Sequence, residues 1–163
     1  PCPCGYFGDS VKRCSCTPHQ RQRYFDKISG PLLDRFDIQI EVPRVKYKEI
    51  SGQAEAEESS ALIRGRVEAA RHRQAARFSN RGPLTNAAMS RADLERFCRP
   101  DAAGEQLMSQ AFRSLGLSGR GHDRILKIAR TIADLAGEER ISAAQMAEAI
   151  QYRSLDREEF HAF

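Results

Sequence analysis

The sequence predicts a mainly α-helical chain with a single strand near its front. Three observations carry that expectation. The stretch from about Glu55 to Phe78 holds no proline and is dominated by Ala, Glu and Arg, which predicts one long helix. Between 118 and 136, Ile125, Ile128, Ile132 and Leu135 recur at three- and four-residue spacing, the period of an amphipathic helix. One stretch, 36–42, instead alternates: Phe36, Ile38, Ile40 and Val42 are apolar, and Asp37, Gln39 and Glu41 are polar. That period of two predicts a strand with one buried face, ended by Pro43, which has no N–H for a ladder.

The elements follow in order. Residues 1–20 are dense in proline and glycine and read as loop. A short helix is expected over 18–29, with Thr17 as N-cap, Pro18 at its first position, and Tyr24, Phe25 and Ile28 as apolar anchors. Ser29-Gly30-Pro31 is a turn signal, followed by Leu32, Leu33, Asp34 and Arg35 at the mouth of the strand. A polar connector, 44–54, separates this first part from the rest. The long helix follows, with Leu62, Ile63, Val67, Ala70 and Gln74 near one face. Its glutamates lie early and its arginines late, which suits the macrodipole.

Residues 80–83 read as loop, and Ser90 with Asp93 opens a brief helix over 91–98. Cys98 is expected to be buried beside Phe97 and Leu94. A helix over 103–115 carries Leu107, Met108, Ala111 and Leu115 and stops at Gly116 as an αL cap. The helix over 118–136 ends at Gly137, and its polar side holds Arg120, Arg124, Lys127 and Thr131. Ser142 with Gln145 makes a capping box, Ile141 and Met146 are placed as a hydrophobic staple, and the last helix runs to about Arg153. The tail, 154–163, reads as frayed or held by Phe160 alone. A lone strand has no partner for its backbone groups, so the sheet it belongs to is expected to come from elsewhere.

Composition sets the outer bounds. The chain has 163 residues, 40% hydrophobic and 29% charged, enough to bury a core. A net charge of +4, largely from arginine, permits contact with phosphates. No apolar run is long enough for a membrane span, and no signal peptide is expected, so the expected location is cytoplasmic. The first residue is Pro1, and the expectation is a chain that starts inside a longer protein.

Four of the five cysteines crowd the first sixteen residues as two C-x-C pairs, Cys2/Cys4 and Cys14/Cys16. In a chain with no secretion signal, such clustering points to metal before disulfides. Four thiolates around a short spacer suit a tetrahedral structural zinc, with Gly5 and Gly8 allowing the tight turns and His19 as a spare ligand. The alternatives are a reduced, metal-free loop or adventitious disulfides. Lys12 and Arg13 form a basic tip near Tyr6 and Phe7, a combination that can stack on nucleic acid or simply be solvated.

Several segments together resemble a known family. They are Cys-Pro-Cys-Gly at 2–5 with Cys-Ser-Cys at 14–16, Ile-Ser-Gly-Pro-Leu-Leu-Asp-Arg-Phe-Asp at 28–37, Leu-Ser-Gly-Arg-Gly-His-Asp-Arg-Ile-Leu-Lys-Ile-Ala-Arg-Thr-Ile-Ala-Asp-Leu at 117–135, and Glu-Ala-Ile-Gln-Tyr-Arg at 148–153. In this order they resemble the magnesium-chelatase-like AAA+ ATPases of the ComM/YifB type. The Leu-Leu-Asp-Arg-Phe segment is also similar to the matching part of magnesium chelatase ATPase subunits and of MCM helicases.

The resemblance implies that 1–43 is the end of an AAA+ α/β core, 44–54 a linker and 55–163 an all-α helical lid. It implies that Arg35 is an arginine finger reaching a neighbouring subunit's γ-phosphate, and that Asp34 orients it or lines the same interface. Arg120 matches the sensor-2 arginine that contacts the subunit's own nucleotide, with Arg124, one turn later, as the alternative. ATP and Mg2+ are the implied cofactors, a homo-hexamer the implied assembly, and DNA the implied partner, as in a branch-migration motor for DNA uptake and recombination. The alternatives are a chelatase-type motor for metal insertion and a zinc-stabilised helical DNA-binding module. The chain contains no G-x-x-x-x-G-K-[ST] phosphate loop, so it is not expected to hydrolyse ATP alone.

Overall fold

The computed structural model describes residues 2–9, 11–40, 42, 44–45, 47, 51, 58–79 and 85–153. It is mainly α-helical. In chain order the helices are α1 (Pro18–Phe25), α2 (Gly30–Leu33), α3 (Ser60–Arg77), α4 (Arg91–Phe97), α5 (Ala102–Ser114), α6 (Gly119–Ala136) and α7 (Ala143–Gln151), with a 3₁₀ turn over Asn86–Ala88.

The caps do what their residue types dictate. Thr17 accepts from the Gln20 N–H while the Gln20 side chain accepts from the Thr17 N–H, and Ser90/Asp93 and Ser142/Gln145 form the same reciprocal box. Ser118 caps α6 by accepting from the Gly121 N–H at 3.0 Å. Both α5 and α6 end on glycines with positive φ: 58° at Gly116 and 83° at Gly137. In each case the following N–H reaches back five residues, Leu117 to the Phe112 carbonyl at 3.2 Å and Glu138 to the Ala133 carbonyl at 2.8 Å. Those are the bonds of a Schellman ending.

α6 is the centre of the bundle. It packs on α3, α4, α7 and the 3₁₀ turn, while α5 packs on α7. Ile125, Ala129 and Ala133 of α6 share one buried cluster with Ile141, Met146 and Ala149, so both residues of the staple expected at the start of α7 are buried in the core. Cys98 is buried, with its thiol 3.5 Å from the Met89 sulfur. No helix among the described residues is long and apolar enough to cross a membrane.

Three features differ from the sequence expectation. First, Gly30–Leu33 is a helical turn rather than a plain turn, because Ser29 is extended and Pro31 fits the first helical turn. Second, the alternating stretch forms no strand among the described residues. Its apolar residues Phe36, Ile38, Ile40 and Val42 are exposed, and polar Gln39 is the buried one, 7% exposed. The Gln39 N–H donates to the Tyr152 carbonyl at 2.8 Å, so the last helix, not a sheet, takes up that backbone group. Third, on the long helix only Ala70 and Gln74 are buried, whereas Leu62, Ile63 and Val67 remain exposed. The expected loop at 80–83, most of the connector and the tail from 154 lie outside the described residues.

Candidate functional site

The segment Asp34–Gln39 lies along one end of the bundle and is held there by side chains of α6 and by the end of α7. Asp34 follows α2, whose C-terminal turn places its carboxylate against the N-terminus of α6. The Ser118 hydroxyl lies 3.0 Å from each Asp34 oxygen and donates to that carboxylate, while its oxygen accepts from the Gly121 N–H. One hydroxyl therefore ties Asp34 to the cap of α6.

Two arginines continue the attachment. Arg124 of α6 donates to the Arg35 carbonyl and pairs with Asp37 at 2.8 Å. Arg153, just past α7 and 2% exposed, donates to the Phe36 carbonyl at 2.7 Å and reaches Asp34 at 3.4 Å. A buried guanidinium is costly without partners. Here the partners are the backbone and carboxylate of the segment that carries Arg35. The Arg35 guanidinium itself is exposed, and no described residue pairs with it.

Arg120 sits one residue into α6, also exposed and without a described partner. It lines an open cleft of about 400 Å³ together with Leu33, Asp34, Leu117, Ser118 and Arg153. Asp34 and Arg120, 86 positions apart in sequence, thus share one cleft, while Arg124 is not part of its lining and pairs with Asp37. Arg153 and Ser118 were not singled out as site residues from the sequence. Arg153 stood in one of the segments that carry the resemblance, and Ser118 stood at a helix N-cap position, but nothing in a single sequence shows which distant backbone an arginine will meet.

The four front cysteines converge. All four sulfurs lie within 4.8 Å of one another, with Cys2–Cys4 at 3.3 Å, Cys4–Cys14 at 3.5 Å and Cys2–Cys14 at 3.7 Å. A tetrahedral zinc with sulfur at about 2.3 Å has S···S edges of about 3.8 Å, so this donor set fits such an ion. Gly5 and Gly8 both adopt positive φ, 79° and 84°, in the loop between the two cysteine pairs, where the Gly5 N–H closes a turn on the Cys2 carbonyl at 3.0 Å. Backbone N–H groups of Tyr6 and Ser15 hold the Cys4 thiol down to about 5, whereas burial pushes Cys16 up to about 12. His19 lies outside the group. At the tip, Lys12 stacks over the Tyr6 ring at 4.1 Å and Arg21 over the Phe7 ring at 4.6 Å, so both aromatic faces already carry a cation.

The family model for the magnesium chelatase subunit ChlI C-terminal region matches residues 57–153, and that for magnesium chelatase subunit ChlI matches residues 1–50. The chain belongs to the magnesium chelatase ChlI-type family. Within that family it is 38% identical over 157 residues to the YifB protein of Escherichia coli strain K12. It is equally similar, 38% over 157 residues, to the competence protein ComM of Haemophilus influenzae. A Mycobacterium tuberculosis H37Rv protein, Rv2897c, is 37% identical over 153 residues. These alignments cover 94–96% of this chain but 30% of each relative. This magnesium chelatase ChlI-type chain thus spans about 30% of the length of the curated relatives it matches.

Proposed function

We propose that this chain supplies two parts of a ring-forming AAA+ ATPase. Arg35 is the arginine finger offered to a neighbouring subunit, and the helical bundle is the lid that reads the subunit's own nucleotide through Arg120, with Arg124 one turn later on α6. The observation that carries the reading is the Asp34–Asp37 segment. Its Asp34 carboxylate is held by Ser118 and its backbone by Arg124 and Arg153, yet the Arg35 guanidinium is left exposed. An arginine with a fixed backbone and an open side chain suits a group that must stabilise charge on a phosphoryl group from outside. Asp34 acts through position, holding the turn to the cap of α6.

In this reading 1–43 closes the α/β core, 44–54 links, and 55–163 is the lid. ATP and Mg2+ are cofactors of the whole protein, which works as a homo-hexamer. The similarity to a competence protein supports DNA as the substrate and a motor role in DNA uptake and recombination. A zinc ion on Cys2, Cys4, Cys14 and Cys16 has a structural role, because four protein thiolates leave no open position for substrate. A chelatase-type motor is the second reading, supported by the family's name; it predicts ATPase activity indifferent to DNA.

The test is Arg35→Ala in a full-length protein carrying this chain. The expected outcome is ATP binding retained and hydrolysis reduced by roughly 10³–10⁵, the range for a finger supplied by a neighbour. Hydrolysis at the unsubstituted rate ends the finger assignment. Stimulation by DNA separates the two motor readings.

A further inference from the structure

We propose that Arg124 and Arg153 are positioning residues for Arg35, and that through them and Ser118 a subunit's own nucleotide sets how Arg35 is offered to the next subunit. This deepens the finger reading above and rests on it.

The argument begins with where the bonds fall. Arg124 takes the carbonyl of Arg35 and Arg153 takes the carbonyl of Phe36, two consecutive carbonyls on the C-terminal side of the exposed side chain. On the N-terminal side, Asp34 receives the Ser118 hydroxyl and the Arg153 guanidinium. The Gln39 N–H is fixed by the Tyr152 carbonyl at 2.8 Å. Arg35 is therefore bracketed by bonds from α6 and from the end of α7, and none of them uses its guanidinium.

Arg153 bonds across to a segment more than a hundred residues earlier, and its side chain is 2% exposed while doing so. Arg124 is likewise paired across to Asp37 rather than along its own helix.

The second half concerns α6. Its N-terminus carries Arg120, and Arg124 follows one helical turn later, about 5.4 Å along the axis. The Ser118 hydroxyl joins that N-terminus to Asp34. A ligand phosphate drawn to Arg120 must move or stiffen the same turn of helix that holds Asp34, the Arg35 carbonyl and Asp37. The coupling needs no long pathway, since the two groups sit at one end of one helix.

Mixed rings of the full-length protein test this. The acceptor subunit carries Arg35→Ala and an intact phosphate loop. The donor keeps Arg35 and binds ATP, but its catalytic acid is replaced so that it cannot hydrolyse. Into the donor go Arg124→Ala, Arg153→Ala or Arg153→Lys. The expected result is that each alanine donor lowers the acceptor's kcat about tenfold or more, with the acceptor's KM for ATP unchanged and ring assembly intact. Arg153→Lys should recover part of the loss.

Failure of the unsubstituted donor to rescue the acceptor overturns the finger reading itself. Rescue by the alanine donors at the unsubstituted level overturns the positioning roles and leaves the finger reading standing. If the alanine donors do not assemble, Asp37→Asn decides, because that side chain is 66% exposed and its loss removes only the ion pair to Arg124. An assembled Asp37→Asn donor should lower the acceptor's kcat several-fold, and full activity overturns the role of Arg124. Finally, Arg120→Ala in the donor should lower the acceptor's kcat although Arg35 is untouched. An unchanged rate overturns the coupling to the donor's nucleotide.

Discussion

Arg77 of α3 and Asp134 of α6 form a two-pronged ion pair, with Nη2–Oδ1 at 2.5 Å and Nη1–Oδ2 at 2.8 Å. Asp134 is fully buried and Arg77 nearly so. The Asn86 amide donates to the same carboxylate at 2.8 Å, and Arg130 reaches it at 3.2 Å while donating onward to the Glu138 and Glu139 carbonyls. One carboxylate thus ties α3, the 3₁₀ turn and α6 together. Removing it leaves two guanidinium groups without their charge partner in a dry site, which typically costs about 3–5 kcal/mol. Asp134→Ala is expected to lose that much in denaturant unfolding, and Arg91→Ala, on an exposed surface pair, less than about 1 kcal/mol.

The same carboxylate sets an acid limit. Burial alone would raise its pKa, but the hydrogen bonds from Arg77 and Asn86 and the charges of Arg130 and Arg77 outweigh it and hold it below its ordinary 3.8. A depressed carboxylate stabilises the fold fully above its unfolded value, and that contribution disappears as pH falls through the folded value. Thermal unfolding followed downward from neutral pH should therefore show a steep loss beginning below about 3.8. Asp134→Asn should start from a lower melting temperature and show a shallower acid limb.

Gly137 offers a backbone test. Its φ is +83°, and a Cβ there would lie 3.1 Å from the Arg73 Nη2. Arg73 also donates to the Asp134 carbonyl at 3.1 Å, but its side chain is exposed and its far end can shift. Gly137→Ala should cost about 1–2 kcal/mol from the left-handed backbone alone. Gly119→Ala, where a Cβ meets nothing within 4 Å, should be close to neutral or stabilising.

The cysteine group predicts metal content. Protein purified under reducing conditions without added zinc should carry close to one zinc per chain, and Cys4→Ser or Cys14→Ser should abolish it. Cys98→Ser should leave it intact, because that thiol is buried in the bundle beside Met89. Less than about half a zinc per chain in the unsubstituted protein would sink the metal assignment.

Much of the bundle was legible because its signals are local. Thr17, Ser90 and Ser142 sit three residues before a partner that completes each box, and Gly116 and Gly137 stand where the apolar stripes stop. The spacing of the cysteine pairs pointed to the convergence of their sulfurs for the same reason. What was not legible depends on distant chain. No local pattern marks Arg77, Asn86, Arg130 and Asp134 as buried, yet each is satisfied by the others across three elements. The alternation of 36–42 is real, yet burial of its apolar side needs neighbours that the described residues do not provide, and the end of α7 took the Gln39 backbone instead. Arg153 could be placed on a helix end but not on the carbonyl of Phe36.

The bond from Arg153 to Phe36 also imposes an order on synthesis. The two residues are 117 positions apart, so the Arg35 turn leaves the ribosome long before its clamp exists. At about 5–20 residues per second the wait is roughly 6–23 seconds, far longer than a small helix needs to form. During that interval the Arg35 and Phe36 carbonyls and the Gln39 N–H lack the partners that α6 and the end of α7 later bring. The turn that carries Arg35 can acquire its final geometry only after the last helix has been translated and docked.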